Sequence, residues 1–365
     1  MTTTPYPSAL LNDLLSVGNK PITTLSTLHQ AIQGAITFAF AAVPVALNAL
    51  YAISPDDKKN TVFLAGLVQD RLQRACLLAN LLVAVGGVPK FSGVHTPRYP
   101  CRDLAGDGAI QPLFDLSGAP DGCLAALNIS QEQQSVMVLP GQGQAVGSIG
   151  QLYKWIEDGL VQLEENAQFQ GESIFAASRG YRQLDDVVFM PARVSLEHIN
   201  NLMDAHLLLR GLVGQCSEKG TLKACSSELA PTLASSTEGQ ELDRREATDP
   251  ALVAKLSALF NNCYALWLRS LEHCFEESTE GADNHATVVS TLIGEVFPHL
   301  AMVLQALSAD TAPEWLYQPS SLEQICSSNR LLLDALRADS SADYSKQVAA
   351  LNVVAEQCDH LRAMA

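Results

Sequence analysis

"GLVQDRLQRACLLANLLVAVGG", residues 66–87, carries apolar and small residues almost all round the helix that its spacing predicts. A helix apolar on every side belongs in a core, and Gly86-Gly87 supplies the stop. Asp70, Arg71, Gln73 and Arg74 interrupt it near the middle. Arg71 and Arg74 stand three residues apart and therefore share one face. Immediately upstream, residues 21–53 contain no Asp, Glu, Lys or Arg. That length would span a bilayer. Gln33 and Asn48 lie within it, Pro44 breaks it, and no basic flank follows, so it reads as the central helix of a soluble bundle, 23–53, kinked at Pro44. Ser54 as N-cap with Pro55 at the first helical position starts the next helix. Two long core helices joined by so short a link are antiparallel neighbours.

Outward from this pair, a short helix precedes residue 21, and the pattern breaks up between Val88 and Gly147. Many Gly and Pro and the short apolar runs "IQPLFDL" and "SVMVL" predict a long crossover, 88–147, with a small β-hairpin. Helical spacing returns at "SIGQLYKWIEDGLVQLEE", where Ser148 and Gln151 form a capping box. Residues 171–194 are irregular, with "DVVFM" as a strand. A third core helix is expected from Ser195, its apolar face set by Ile199, Leu202, Met203, Leu209 and Val213. Residues 217–248 loop out. Asp249-Pro250 opens a fourth core helix, and a fifth spans 284–308 with a kink at Pro298. Helices at 320–337 and 342–362 close the chain. There is no fixed-period repeat.

The chain has 365 residues, 47% hydrophobic and 17% charged, enough to bury a large core. Its formal charge of −16 and lack of a Lys/Arg patch exclude nucleic acid and anionic membrane surfaces as partners. The nine cysteines are scattered and never spaced as Cys-x-x-Cys, which argues against a disulfide framework or a zinc knuckle and for a reducing cytoplasm. The N-terminus lacks the basic and apolar regions of a secretory signal. Gly141, Gly143 and Gly147 after "SVMVL" miss the dinucleotide-loop spacing by one residue, and no βαβ unit surrounds them. Cys216 and His206 stand about 15 Å apart along one helix, too far for a nucleophile pair. Cys76, Cys263 and Cys274 at helical positions read as small buried hydrophobes.

A helix pair, one long crossover and a second pair is the order of a ferritin-like bundle. The expectation is an all-α, ferritin-like helical bundle over 1–313, with extra C-terminal helices over 314–365 packed on it. "AAVPVALNALYAI", "LLANLLVAVGGVPKF", "PRYP", "SIGQLYKWIEDGL", "LRGLVGQC" and "LFNNCYALWLRSL", in this order, resemble the ferritin-like iminophenyl-pyruvate dimer synthases. These enzymes couple two amino-acid-derived imines on the violacein and rebeccamycin routes. The resemblance runs from residue 25 to 308 and implies a metal site that this chain has lost. It places Ala39 at the Glu of the first helix, Arg71 and Arg74 at the Glu-x-x-His of the second, and Gly214 at the Glu of the third. Arg244 stands nearest the His of a later segment. None of these side chains ligates iron or manganese, and two guanidiniums repel a dication, so no metal and no cofactor are expected.

Two readings of Arg71 and Arg74 remain open at this point. In one they join Arg210 in an anion pocket that replaces the metal, with His206 and Asp70 as further ligand-binding residues. In the other they pair within the protein, Asp70 first among their partners, or a slipped register leaves them in solvent. His206 is either a satisfied core histidine or an acid/base group. Function follows the same fork: a metal-independent protein of secondary metabolism that binds or transforms an aromatic or carboxylate small molecule, or a non-catalytic scaffold. The scaffold would be a pseudoenzyme that forms a homodimer or supports a partner biosynthetic enzyme.

Overall fold

Thr24 caps the first helix: its Oγ1 accepts from the Thr27 amide at 3.2 Å, and its carbonyl takes the Leu28 amide at 3.0 Å. The computed structural model describes residues 21–51, 53, 57–97, 99, 149–175, 180–185, 187–189, 192–194, 196–217, 250–276 and 279–298, with scattered positions from 300 to 359. The helices are α1 (Leu25–Tyr51), α2 (Lys58–Ala84), α3 (Ile149–Phe169), α4 (Leu202–Ser217), α5 (Pro250–His273) and α6 (Thr279–Thr291). Strands β1 (Val187–Phe189) and β2 (Ala192–Val194) form an antiparallel ribbon in which Val187 pairs with Val194. The ribbon falls where "DVVFM" predicts a strand. The helix before residue 21, the hairpin of the crossover, the Ser148 capping box and the Ser54 cap lie outside the described residues.

α1 packs along α2 and against α3, α3 packs on α4, and α5 packs on α6. The α1–α2 pair is antiparallel, since His29 near the start of α1 bonds through Nε2 to the carbonyl of Val85 just past α2, at 2.8 Å. α1 is long and apolar enough to cross a membrane, yet most of it is buried in the bundle. α2 begins later than expected, because Asp57 caps it, accepting from the Asn60 amide at 3.2 Å and from Asn60 Nδ2 at 2.6 Å. α4 also starts late, at Leu202 and not Ser195. Asn201 Oδ1 accepts from the amides of Met203 and Asp204 (2.9 and 3.0 Å), while Asp204 Oδ2 accepts back from the Asn200 amide (2.9 Å). That reciprocal cap stops the helix from propagating upstream. The buried face of α4 is accordingly Ala205, Leu209 and Leu212, while Met203 and Val213 turn outward.

Two prolines inside helices each have a tyrosine hydroxyl bonded to a nearby helical carbonyl. Pro44 has no N–H for the Phe40 carbonyl, and beside it Tyr99 donates to Ala41 O at 2.7 Å. Past α6 the helix widens to a π turn over Leu292–Val296, with the Phe297 amide bonded to Leu292 O. The next bond of that register would run from residue 298 to Ile293 O, but residue 298 is Pro. Tyr51 fills the place, donating its hydroxyl to Ile293 O at 2.9 Å, and burial raises its pKa. Tyr51→Phe should therefore cost about 1 to 3 kcal/mol, read as a lower urea midpoint at unchanged slope.

The core is continuous and has an aromatic centre. Trp267 of α5 meets Phe40 (5.2 Å), Tyr264 (6.0 Å), Phe297 (5.8 Å) and Trp315 (6.4 Å), tilted or edge to face. Trp315 is fully buried with a positive φ of 48°, and the next amide, Leu316, is tied to Asn261 Oδ1 at 2.9 Å. Loops are tied to helices by side-chain amides that imitate a strand neighbour. Asn80 donates to Leu184 O (2.9 Å) and accepts from its amide (2.7 Å). Gln33 does the same to Lys90 (2.7 and 3.0 Å) and Gln183 to Ile199 (2.8 and 2.7 Å). Glu272 accepts the amides of Phe91 and Ser92, both at 2.7 Å.

Candidate functional site

Two of the polar residues of the second helix fall on its inner side: Arg71 and Arg74 are buried, at 3% and 7% exposure, although each has a long flexible stem. Asp70 holds Arg74 one turn away. Its Oδ1 accepts from Nε and Nη2, both at 3.1 Å, and Oδ2 lies 3.0 Å from Nη2. Arg71 Nε stands 3.8 Å from the same carboxylate. Both arginines make further contacts. Asp70, Arg71 and Arg74 thus form one ionic group, with the carboxylate at its outer edge, its side chain 35% exposed.

His206 and Arg210 belong to a different group. His206 Nδ1 contacts Glu157 Oε1, Lys154 Nζ lies 3.1 Å from Glu157 Oε2, and Arg210 Nε approaches Oε1 at 3.9 Å. Glu157 is buried on α3, whereas Arg210 keeps 71% of its side chain exposed beside it. The ion pairs among the described residues link Arg210 to Glu157 and join Arg71 and Arg74 to Asp70. The His206 ring is 32% exposed, so it is not a fully buried core histidine. Glu157 was missed because it sits in "KWIEDGL" next to Asp158 and reads as half of an exposed acidic pair. Only its place four residues after Tyr153 and three before Leu160, both apolar, hints that position 157 turns inward.

A metal does not fit the α2 position. The side chains that the resemblance puts there are Ala39, buried, and the two arginines; Gly214 adds none. Neither methyl nor guanidinium donates a lone pair to a metal. Among the described residues no three His, Cys, Asp or Glu side chains gather as a metal site. Burial shifts several other titratable groups. Burial pushes the thiols of Cys76 and Cys263 up, the latter to about 12. His285, stacked on His273 with centroids 4.7 Å apart, is lowered to about 4 by burial and then by its neighbour.

A solved ferritin-like protein from Caulobacter vibrioides is 17% identical, with a TM-score of 0.48 over 82% of this chain and 100% of that one. No curated protein matches. A family model described as ferritin-like matches residues 32–218, just over half the chain and all four helices α1 to α4 in whole or in large part. The chain belongs to the ferritin-like family.

Proposed function

We propose that the protein is a metal-independent member of the imine-dimer-synthase branch of this family, working in secondary metabolism. It binds or transforms an aromatic or carboxylate small molecule in the bundle, at the place its relatives give to a metal. The observation that carries this reading is the burial of Arg71 and Arg74 at the two positions that the resemblance assigns to Glu and His ligands. A protein that had only lost a metal would be expected to fill the space with apolar side chains, since buried ion pairs add little net stability. Guanidiniums offer planar, paired donors that match a carboxylate.

The purified protein is expected to carry no stoichiometric iron, manganese or zinc by elemental analysis; one metal per chain surviving dialysis against a chelator would overturn the reading. Benzoate is expected to raise the melting temperature, with an effect that disappears in Arg71→Met. A second reading, a scaffold for a partner enzyme or for a second copy, is favoured by one contact. The two-donor grip of Asp70 on Arg74 satisfies that guanidinium without any ligand. A flat melting curve across all small anions would select the scaffold.

A further inference from the structure

The Glu157 group on α3 and α4 is arranged differently from the α2 group, and its outer side is chemically mixed. An ionised carboxylate only accepts hydrogen bonds, so the contact of Glu157 Oε1 with His206 Nδ1 fixes the proton on Nδ1. In the neutral ring Nε2 is then an acceptor, and it takes no partner among the described residues. Carboxylates that orient an imidazole in this way are what prepare a histidine to receive a proton or a hydrogen bond from a ligand. Burial of Glu157 makes the orientation firm, because a buried carboxylate cannot readily exchange its partners for water.

The neighbours along α4 complete the pattern. Met203, His206, Leu207 and Arg210 follow one another at helical spacings of three, one and three, so they share a face. Met203 and Leu207 are large apolar side chains left exposed there, and Arg210 presents its guanidinium to solvent beside Glu157. Lys154 is already engaged by Glu157 and, at 2.7 Å, by Asp158, which leaves Arg210 as the cation open to a ligand. An apolar patch, an acceptor nitrogen and a planar cation within two turns complement an apolar hydroxycarboxylate.

We infer that this face of α3 and α4 is a binding site for an apolar hydroxycarboxylate. Its carboxylate pairs with Arg210, its hydroxyl donates to His206 Nε2, and its apolar group lies on Met203 and Leu207. Glu157 acts through His206 as a positioning residue. The inference is independent of the α2 reading, and its readout is local to His206. The test is titration of the nitrogen-15 resonances of the His206 ring with mandelate in the full chain, above the pH at which the ring is charged. The free protein should show the proton on Nδ1, and Glu157→Gln should yield a mixture of the two ring tautomers. Mandelate should shift the Nε2 resonance saturably, with a dissociation constant on the order of millimolar. Phenylacetate, which lacks the hydroxyl, and mandelamide, which lacks the charge, should each bind about tenfold more weakly, as should mandelate to Arg210→Gln. Arg210 is mostly exposed, so that variant keeps the fold. Absence of a saturable shift, or a shift that Arg210→Gln leaves untouched, overturns the inference.

Discussion

Asp70→Leu should lose about 3 to 5 kcal/mol of stability, because it takes away the carboxylate that both buried guanidiniums approach. Urea unfolding followed by circular dichroism checks it. Arg74→Met should cost less, about 1.5 to 3 kcal/mol, the value of charged hydrogen bonds alone. The asymmetry arises from burial: a third of the Asp70 side chain already meets solvent and can be hydrated when Arg74 is gone, whereas the Arg74 side chain is only 8% exposed. The double variant should recover part of the Asp70→Leu loss, since it removes the charge that the single change leaves behind. Benzoate then separates the two functional readings. Under the small-molecule reading it restores part of the stability of Asp70→Leu by supplying the missing carboxylate, and it raises the melting temperature of the unaltered protein. Under the scaffold reading it does neither. Equal losses for Asp70→Leu and Arg74→Met would contradict the burial argument itself.

Trp267→Ala should destabilise by about 3 to 5 kcal/mol, the upper end for a single core truncation. The ring is fully buried and meets four other aromatic rings from α1, α5, the π turn's end and the C-terminal stretch. Those neighbours come from elements far apart in sequence, so they cannot collapse together into the space without moving whole helices. Trp267→Phe should cost visibly less, keeping most of the area but leaving a smaller void. A loss under about 1 kcal/mol for the alanine variant would mean that the site relaxes and that the core is not held as close-packed as its ring geometry indicates.

The fold was legible where hydrophobic spacing is long and unbroken. α1, α2 and the start of α5 at Pro250 follow from charge-free runs, a terminal Gly pair and a proline at the first turn. Boundaries were lost where two capping signals compete within a few residues. The sequence offers Ser54 as well as Asp57, and Ser195 as well as Asn201, and the helices begin after Asp57 and Asn201, whose side chains accept helical amides. The π turn could not be read from sequence, because its cause is a donor from α1, more than two hundred residues away. Within the site, Asp70, Arg71 and Arg74 are grouped by helical spacing alone. Arg210 was assigned to them on the assumption that a facing helix turns the same residue inward. A charged residue on an amphipathic helix defaults to solvent unless a buried counter-charge draws it in, and the buried partner on α3 was Glu157, masked by Asp158.

The amide clamps at Asn80, Gln33 and Gln183 also decide how the molecule opens. The amide protons of Leu184, Lys90 and Ile199 belong to loop residues but are bound to side chains, two of which project from α1 and α2. Loop amides normally exchange with deuterium through small local fluctuations, long before the helices do. For Leu184 and Lys90 that route is closed, since freeing the proton requires the loop to leave a side chain fixed in the first helix pair. These two loops should therefore exchange more slowly than free loops, and the first helix pair holds down chain segments that lie about a hundred residues apart.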